Sequence, residues 1–529
     1  MPLKLAVPAA DRSANLTVET RPKQVKEWLD MLPMGHPFEA SRTARDGLAT
    51  LNRQKVAPDQ RLKLLELYQA TIHNLVPAVE ELYSGVPLPL PEKSRQAANL
   101  ARDLQVELAY GYKIVLLELV GKRLSFGANK LLPQAVEGAL SALGNILVVC
   151  YQTYAPTPAG IWSEMHQLYR FAAQQDIHDE VLEGSASTRI GHTYKQALLL
   201  ALADPYRLMQ GEVGKTLEYL ERFGNQAQLL PMAAATSSAG LFLVRLDSDK
   251  PPRPLPQDSA ATDARTDLLF NTVDLARLLH QQLTRLEAGE PHKTLDLPES
   301  AKGPNYPGLM RRLIRHWGIA PKRHFNRIRN DATVDICVGI RAIHYFLSGK
   351  APFQPPETVA QGEGDITVAT AGPAPNSTAS QTFDSTRWEI LNESAGGLAV
   401  RKVSDDPVQI RVGEVVGLNA GHGDAWNVGA VRWVQSDNPE HLEVGIQMLA
   451  PSAVAATAKP TIASAAELTQ PALLLPEMPV LKQPAALLVP RGTYHNLREY
   501  HLGQDGNMKA VRAIKLLEQT ASYELFQFG

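Results

Sequence analysis

The chain has 529 residues, 44% hydrophobic and 20% charged, with a formal net charge of −2. This composition excludes a polymer disordered throughout and removes any global electrostatic pull toward nucleic acid or anionic lipid. A chain of this length predicts about two to four domains rather than one core. Residues from about 20 to 225 read as helical. Val25, Trp28, Leu29 and Leu32 form an amphipathic stripe. Leu62, Leu65, Tyr68 and Ile72 form a second, opened by Pro58 and expected to bend or break at Pro77. Residues 93–124 are a long Ala/Leu-rich run, and residues 133–154 are apolar nearly all round, the mark of a helix central in a bundle. Residues 161–175 and 193–209 make a further helical pair.

That pair, with Trp162, Leu168 and Tyr169 in its first helix, resembles a tetratricopeptide unit, but no period of about 34 residues runs through the chain. A bundle or irregular solenoid over residues 1–235 is expected. Residues 236–320 read as a mixed connector: a strand in GLFLVRLDSD, a Pro-rich polar stretch, and a helix opened by Thr272 with Asp274 and closed by Gly289. A short amphipathic helix follows, with Leu309, Met310, Leu313, Ile314 and Trp317 on one stripe and Gly318 as its cap. From 321 onward the chain reads mostly as strand, including all of ATVDICVGIRAIHYFL. Residues 349–384 are rich in Pro, Gly, Ser, Thr and Ala and read as a flexible insertion. Short strands then continue to about 453, the pattern of a small antiparallel barrel. APSAVAATAKPTIASAAE reads as a second linker before a β-rich tail, residues 470–529. The expected fold class is multidomain α+β: an all-α bundle or solenoid, an antiparallel β-barrel and a C-terminal β-rich module.

Cys150 and Cys337, the two cysteines, lie in apolar runs and read as small buried hydrophobes, a sparse usage that points to a reducing compartment. The first residues lack the apolar core of a signal peptide. No uninterrupted apolar stretch reaches the ~20 residues of a spanning helix, so a cytoplasmic location is expected.

Two segments carry candidate chemistry. PKRHFNRIRN places Arg323 and Arg327 four apart, flanked by Lys322 and Arg329. In RWEILNESAGGLAVRK an apolar run breaks at Asn392, Ser394, Gly396 and Gly397 and then resumes. Arginine grips phosphate through paired N–H groups, binds guanine O6 and N7 with the same fork, and stacks on bases. Asn392 and Ser394 offer short polar groups able to bond a guanine edge or the turn's own backbone. Glycines without Cβ let a ligand approach the main chain.

Arg-x-x-x-Arg ahead of a barrel, with Asn-x-Ser-x-x-Gly between two of its strands, resembles the PilZ family of cyclic di-GMP receptors. GAVRWVQSDNPEHLEVGIQML resembles that family's closing strands. The resemblance spans residues of about 320–453, within an expected domain 321–453, and says nothing of the helical half. It implies a cyclic di-GMP site at Arg323, Arg327, Asn392, Ser394 and Gly397, with Lys322, Arg329 and Gly396 as secondary contacts. The family's turn commonly carries Asp where Asn392 stands; an amide keeps the acceptor oxygen and loses the charge.

The implied role is that of a second-messenger receptor relaying to a protein partner through its helical domain, with an output in motility, pili, attachment or exopolysaccharide. The chain shows no His-Glu-x-x-His, paired Cys-x-x-Cys or Gly-x-Ser-x-Gly elbow, and GHGDAW (Gly421 to Trp426) lacks the Gly-Lys-Ser/Thr of a phosphate loop and reads as a hairpin turn, so no catalytic residue, metal or cofactor is expected. Trp388, Trp426 and Trp433 read as core, and the competing pair Arg311 and Arg315 as the exposed face of a helix. Two alternatives stand: a non-binding barrel serving as an interaction scaffold, and nucleic-acid binding through the basic run Arg311–Arg329 with Trp317 and Phe325.

Overall fold

The computed structural model describes residues 3–10, 17–121, 128–181, 189–232, 239–255, 262–318, 328–329, 332–354, 382–404, 406–421, 425–438, 440–462, 469–478, 484–504 and 507–529. Two compact units emerge. The first comprises Met1–Arg323 with Gln435–Pro439, the second His324–Val434 with Glu440–Gly529.

The first unit opens with helices α1 (Pro22–Asp30), α2 (Pro37–Arg53) and α3 (Pro58–Glu80), each starting on a proline whose missing N–H costs nothing in the first turn. Then come α4 (Glu92–Gly121), α5 (Ala128–Gln152), α6 (Ile161–Gln174), α7 (Ile190–Leu202) and α8 (Glu212–Phe223). Pro77, expected to bend or break α3, lies inside its last turn, and the helix ends three residues later at Glu80. Over Lys130–Gln152, α5 is long and apolar enough to cross a membrane by length and composition, with Glu137, Ser141 and Asn145 interrupting it. Of its apolar window, 61% is buried inside the structure. Cys150 is buried and free, and burial pushes its thiol up to about 11.

Residues 236–320 are not a connector. Strands β1 (Gln228–Pro231), β2 (Leu241–Arg245), β3 (Arg253–Pro254) and β4 (Asp267–Asn271) form an antiparallel sheet in the order β1-β4-β2-β3. With α9 (Val273–Glu287) and α10 (Tyr306–Gly318) they share the helical core: Phe242, Phe270, Leu275 and Trp317 belong to the same buried cluster as Leu48, Leu65 and Tyr194. Thr272 sits at the start of α9, yet its hydroxyl donates to the carbonyls of Gly240 and Trp317. Asn271 Oδ1 accepts the Val273 N–H at 3.0 Å instead.

The second unit holds two closed antiparallel barrels. The first consists of β5 (Thr333–Val338), β6 (Thr386–Ser394), β7 (Gly397–Lys402), β8 (Val415–Asn419), β9 (Asn427–Asn438) and β10 (His441–Ala450), in the order β10-β7-β6-β5-β8-β9. The second consists of β11 (Val454–Pro460), β12 (Gln470–Leu475), β13 (Ala486–Pro490), β14 (Glu499–Gln504), β15 (Asn507–Gln519) and β16 (Tyr523–Phe528), in the order β11-β12-β13-β16-β15-β14. The expected order of helical region, barrel and β-rich module is therefore met. Two details differ. Val454–Pro460, read as linker, is a strand of the second barrel paired with both β12 and β14. The segment GIRAIHYFL, read as strand, is helix α11 (Ile340–Leu347), entered through Gly339 at φ +92°. The expected insertion 349–384 lies outside the described residues over 355–381.

Helix α11 is wedged between the barrels. Ile340 and Ile343 join Trp426 and Val428 of the first barrel and Leu473, Leu488 and Tyr523 of the second in one buried cluster. Arg432 on β9 binds Glu518 on β15, one of the two bonds at 2.8 Å, and Ser522 Oγ donates to the Gly413 carbonyl at 2.8 Å.

Candidate functional site

Strand β6 is the organising element. Its partner β5 is preceded by an isolated antiparallel bridge in which the Ile328 N–H donates to the Glu393 carbonyl at 2.9 Å and the Glu393 N–H to the Ile328 carbonyl at 3.0 Å. The chain entering the barrel is thus fixed beside the last residues of β6. Ile328 and Arg329 are exposed. Lys322, Arg323 and Arg327 lie outside the described residues.

The β6–β7 hairpin turns at Ala395–Gly396, with Ser394 opposite Gly397. Ser394 Oγ donates to the Gly397 carbonyl at 3.2 Å, and the Met448 N–H to the Gly396 carbonyl at 3.1 Å. Gly397 has φ +151°, and a Cβ there would stand 2.1 Å from the Ile446 carbonyl oxygen. Glycine is required at 397 because β10 approaches its main chain, irrespective of any ligand.

A register shift between Ile390 and Asn392 leaves Leu391 as an extra residue in β6. Since side chains alternate along a strand, the extra residue reverses the faces. Ile390 pairs with buried Val400, whereas Asn392 pairs with Ala399 and Ser394 with Gly397, on the barrel's outer face. Ala399 in turn pairs with Gly445, and Gly397 with Gln447.

Across Gly445 lies the Trp433 indole, so close that a Cβ on Gly445 would meet its Nε1 at 1.8 Å. Trp433, Gly445, Ala399 and Asn392 therefore form one cross-strand row, in which Gly445 and Asn392 stand two strand spacings apart, about 10 Å. Small residues make the floor, and a half-buried indole and a half-buried amide make the walls. Trp388 and Trp426 are core as expected, but Trp433 is not: it lies half-buried on the outer face. Its signal was the Gly445 opposite, a partner that only the register reveals.

The same face carries Arg401, two residues beyond Ala399. It donates to Glu443 at 2.8 Å and faces Glu389 at 3.9 Å. Burial alone would raise the Glu443 carboxyl. Hydrogen bonds from Arg401 and His441 outweigh it and hold the group below its usual range. In the alternative basic run, Arg311 pairs with Glu287 and Arg312 with Glu212, and Trp317 is fully buried, its Nε1 donating to the Leu199 carbonyl at 3.0 Å. Those side chains are committed to the helical unit.

A closed six-stranded barrel with a basic lead-in pinned beside an Asn-x-Ser-x-x-Gly hairpin is a PilZ-type domain. Family models described as the N-terminal domain, the middle PilZ domain and the C-terminal β-barrel domain of the cyclic-di-GMP receptor FimW match residues 23–234, 241–365 with 356–455, and 455–529, so the chain belongs to the PilZ-domain cyclic di-GMP receptor family. A curated relative, the Cyclic-di-GMP receptor FimW of Pseudomonas aeruginosa, is 27% identical over 576 aligned positions that cover 99% of this chain and 93% of that protein.

Proposed function

We propose that this chain is a non-catalytic receptor that binds cyclic di-GMP on the outer face of its first barrel and passes the signal to a protein partner through its helical unit. Arg323 and Arg327 grip phosphate and guanine. Asn392 and Ser394 meet a base edge, Gly396 and Gly397 keep the floor open, and Lys322 and Arg329 add positive charge. The Trp433 indole supplies a π-face at the far end of the row. The observation that carries this reading is the Ile328–Glu393 bridge. It tethers the arginine-bearing segment one residue from Arg327 and five from Arg323, beside Asn392 and Ser394. Five residues span at most about 18 Å, so both guanidinium groups have the reach to close over the row. The relative's name supports the ligand. The output by family resemblance is motility, pili, attachment or exopolysaccharide, from a cytoplasmic protein.

Calorimetric titration of cyclic di-GMP into the full chain tests this. Saturable heat is expected, with affinity lowered about tenfold or more in Arg323→Ala and in Arg327→Ala, the loss typical of a charge-assisted hydrogen bond. Unchanged affinity in both variants removes the arginines from the site. A second reading, a barrel that only scaffolds proteins, draws on a specific observation. The Ser394 hydroxyl and the glycine at 397 are each accounted for within the barrel's own backbone. Absence of any heat with the unmodified chain favours that reading.

A further inference from the structure

The helical unit carries a cavity of about 310 Å³, walled by Tyr151 at the end of α5, Trp162 in the first turn of α6, Asp204 and Tyr206 beyond α7, and Asp249 with Pro251 in the loop after β2. Its rings are held in place. Tyr151 and Tyr206 meet edge to face with centroids 5.7 Å apart, and the Tyr206 hydroxyl donates to the Ala155 carbonyl at 2.9 Å. Its carboxylates are held too. Asp249 accepts the N–H groups of Gly160 at 2.7 Å and Ser163 at 3.0 Å, fixing it at the start of α6 beside Trp162. Asp204 accepts Arg207 Nε at 2.8 Å, and both side chains are more than a third exposed, 40% and 46%.

Aromatic faces are negative at their centres, and carboxylates add to that field. Such a cavity repels anions, including a cyclic dinucleotide. It accommodates a cation that also has an apolar or planar body. A guanidinium suits it better than a compact ammonium, because it stacks on rings and sheds water more readily. Arg207 already occupies one carboxylate from outside. An ion pair this exposed is weak, and an incoming cation displaces it at little cost. The volume lies at the small end of ligand pockets, room for one long side chain and its flanking peptide bonds.

The geometry points to this cavity as a docking socket for an arginine-bearing segment of a partner protein. The assignment rests on the reading that the helical unit engages a protein, and it names the chemistry of that contact. It also explains why three rings and two acidic groups from four separate stretches of chain converge on one surface opening of a bundle.

The test uses the full chain labelled with 5-fluorotryptophan, its six indoles resolved by 19F NMR and Trp162 assigned through Trp162→Phe. The probes are Nα-acetyl-arginine methylamide and the uncharged Nα-acetyl-norleucine methylamide. The Trp162 resonance should shift saturably with the arginine probe and not with norleucine. Tyr206→Leu should weaken the effect roughly three- to fivefold. So should Asp204→Asn with Asp249→Asn, a pair that keeps the helix-capping oxygen and removes the charge. An unmoved Trp162, an equal response to norleucine, or indifference to both variants overturns the proposal. No cyclic dinucleotide enters the experiment, so its failure leaves the barrel reading standing, and failure of the calorimetric titration leaves this one standing.

Discussion

The two barrels of the second unit share strand number, closure and antiparallel pairing, and they differ in what they do with their outer faces. The second has a filled interior and an outer face on which Met508, Ile514 and Leu517 of β15 stand exposed. Tyr500, Leu487, Val489 and Phe526 fill the interior, and its β15–β16 reversal is tied by Thr520 Oγ accepting the N–H groups of Ser522 and Tyr523 at 3.2 and 3.1 Å. The first barrel also has a filled interior, with Trp388, Val400 and Val444 buried, but an extra residue in β6 turns Asn392 and Ser394 outward, onto a floor of small residues. The same closed barrel carries the candidate cyclic di-GMP site in one case only. On the proposed reading, binding depends on one bulge, one anchored lead-in and one hairpin grafted onto a common scaffold rather than on the fold class.

Four substitutions break or sharpen this contrast. Gly397→Ala forces a Cβ against the Ile446 carbonyl at a φ that L residues avoid. It should cost about 3 kcal/mol or more, seen in calorimetric unfolding, whether or not ligand is present. Arg432→Ala cuts the link to Glu518 between the barrels and should cost about 1–3 kcal/mol. Arg432 also donates to Gln447 Oε1 at 2.7 Å, so a double-mutant cycle with Glu518→Gln separates the two contacts. If that cycle shows no coupling, the ion pair adds nothing to the joint, which then rests on the apolar cluster around α11 and the Ser522–Gly413 hydrogen bond. Ser394→Ala and Thr520→Ala each remove a hydroxyl from a turn of one barrel, the second a buried methyl as well, and each is expected to cost about 1–2 kcal/mol of stability. Only Ser394→Ala should also weaken cyclic di-GMP binding; equal indifference in calorimetry would erase the distinction between the faces.

The smallest effect is that of pH on the seam. His344 on α11 is buried, and desolvation lowers its pKa, outweighing the hydrogen bond with Ala456. The folded form therefore prefers neutral imidazole while the unfolded chain protonates near pH 6.5. Stability is intact above that pH and declines as pH falls toward the folded value. His344→Gln should flatten that acid slope in urea titrations, and an unaltered slope would assign it to other groups.

The sequence made the helices readable where apolar stripes were one-sided or where burial was nearly complete, as in α1, α3 and α5. It made the β6–β7 hairpin readable because six small or polar residues interrupt two apolar runs. It concealed α11 because that helix is only eight residues long and directly follows the β-branched strand TVDICV, with Gly339 alone between them to mark the change. The strand Val454–Pro460 was concealed by its three alanines, its lysine and its terminal proline, residue types depleted in strands. In the site, residue types were legible but faces were not. One extra residue in β6 reverses the alternation that would have placed Asn392, and Trp433 reads as core until Gly445 is seen beneath it.

The Ile328–Glu393 bridge has a thermodynamic consequence of its own. Residues 327 and 392 are distant along the polymer, and drawing them together from a slack chain would charge loop-closure entropy against ligand affinity. With Ile328 already joined to Glu393, that entropy is lost during folding and, on the proposed reading, does not recur on binding. On that reading the number of residues between 355 and 381 does not enter the binding constant, and shortening the stretch should leave cyclic di-GMP affinity unchanged in calorimetry.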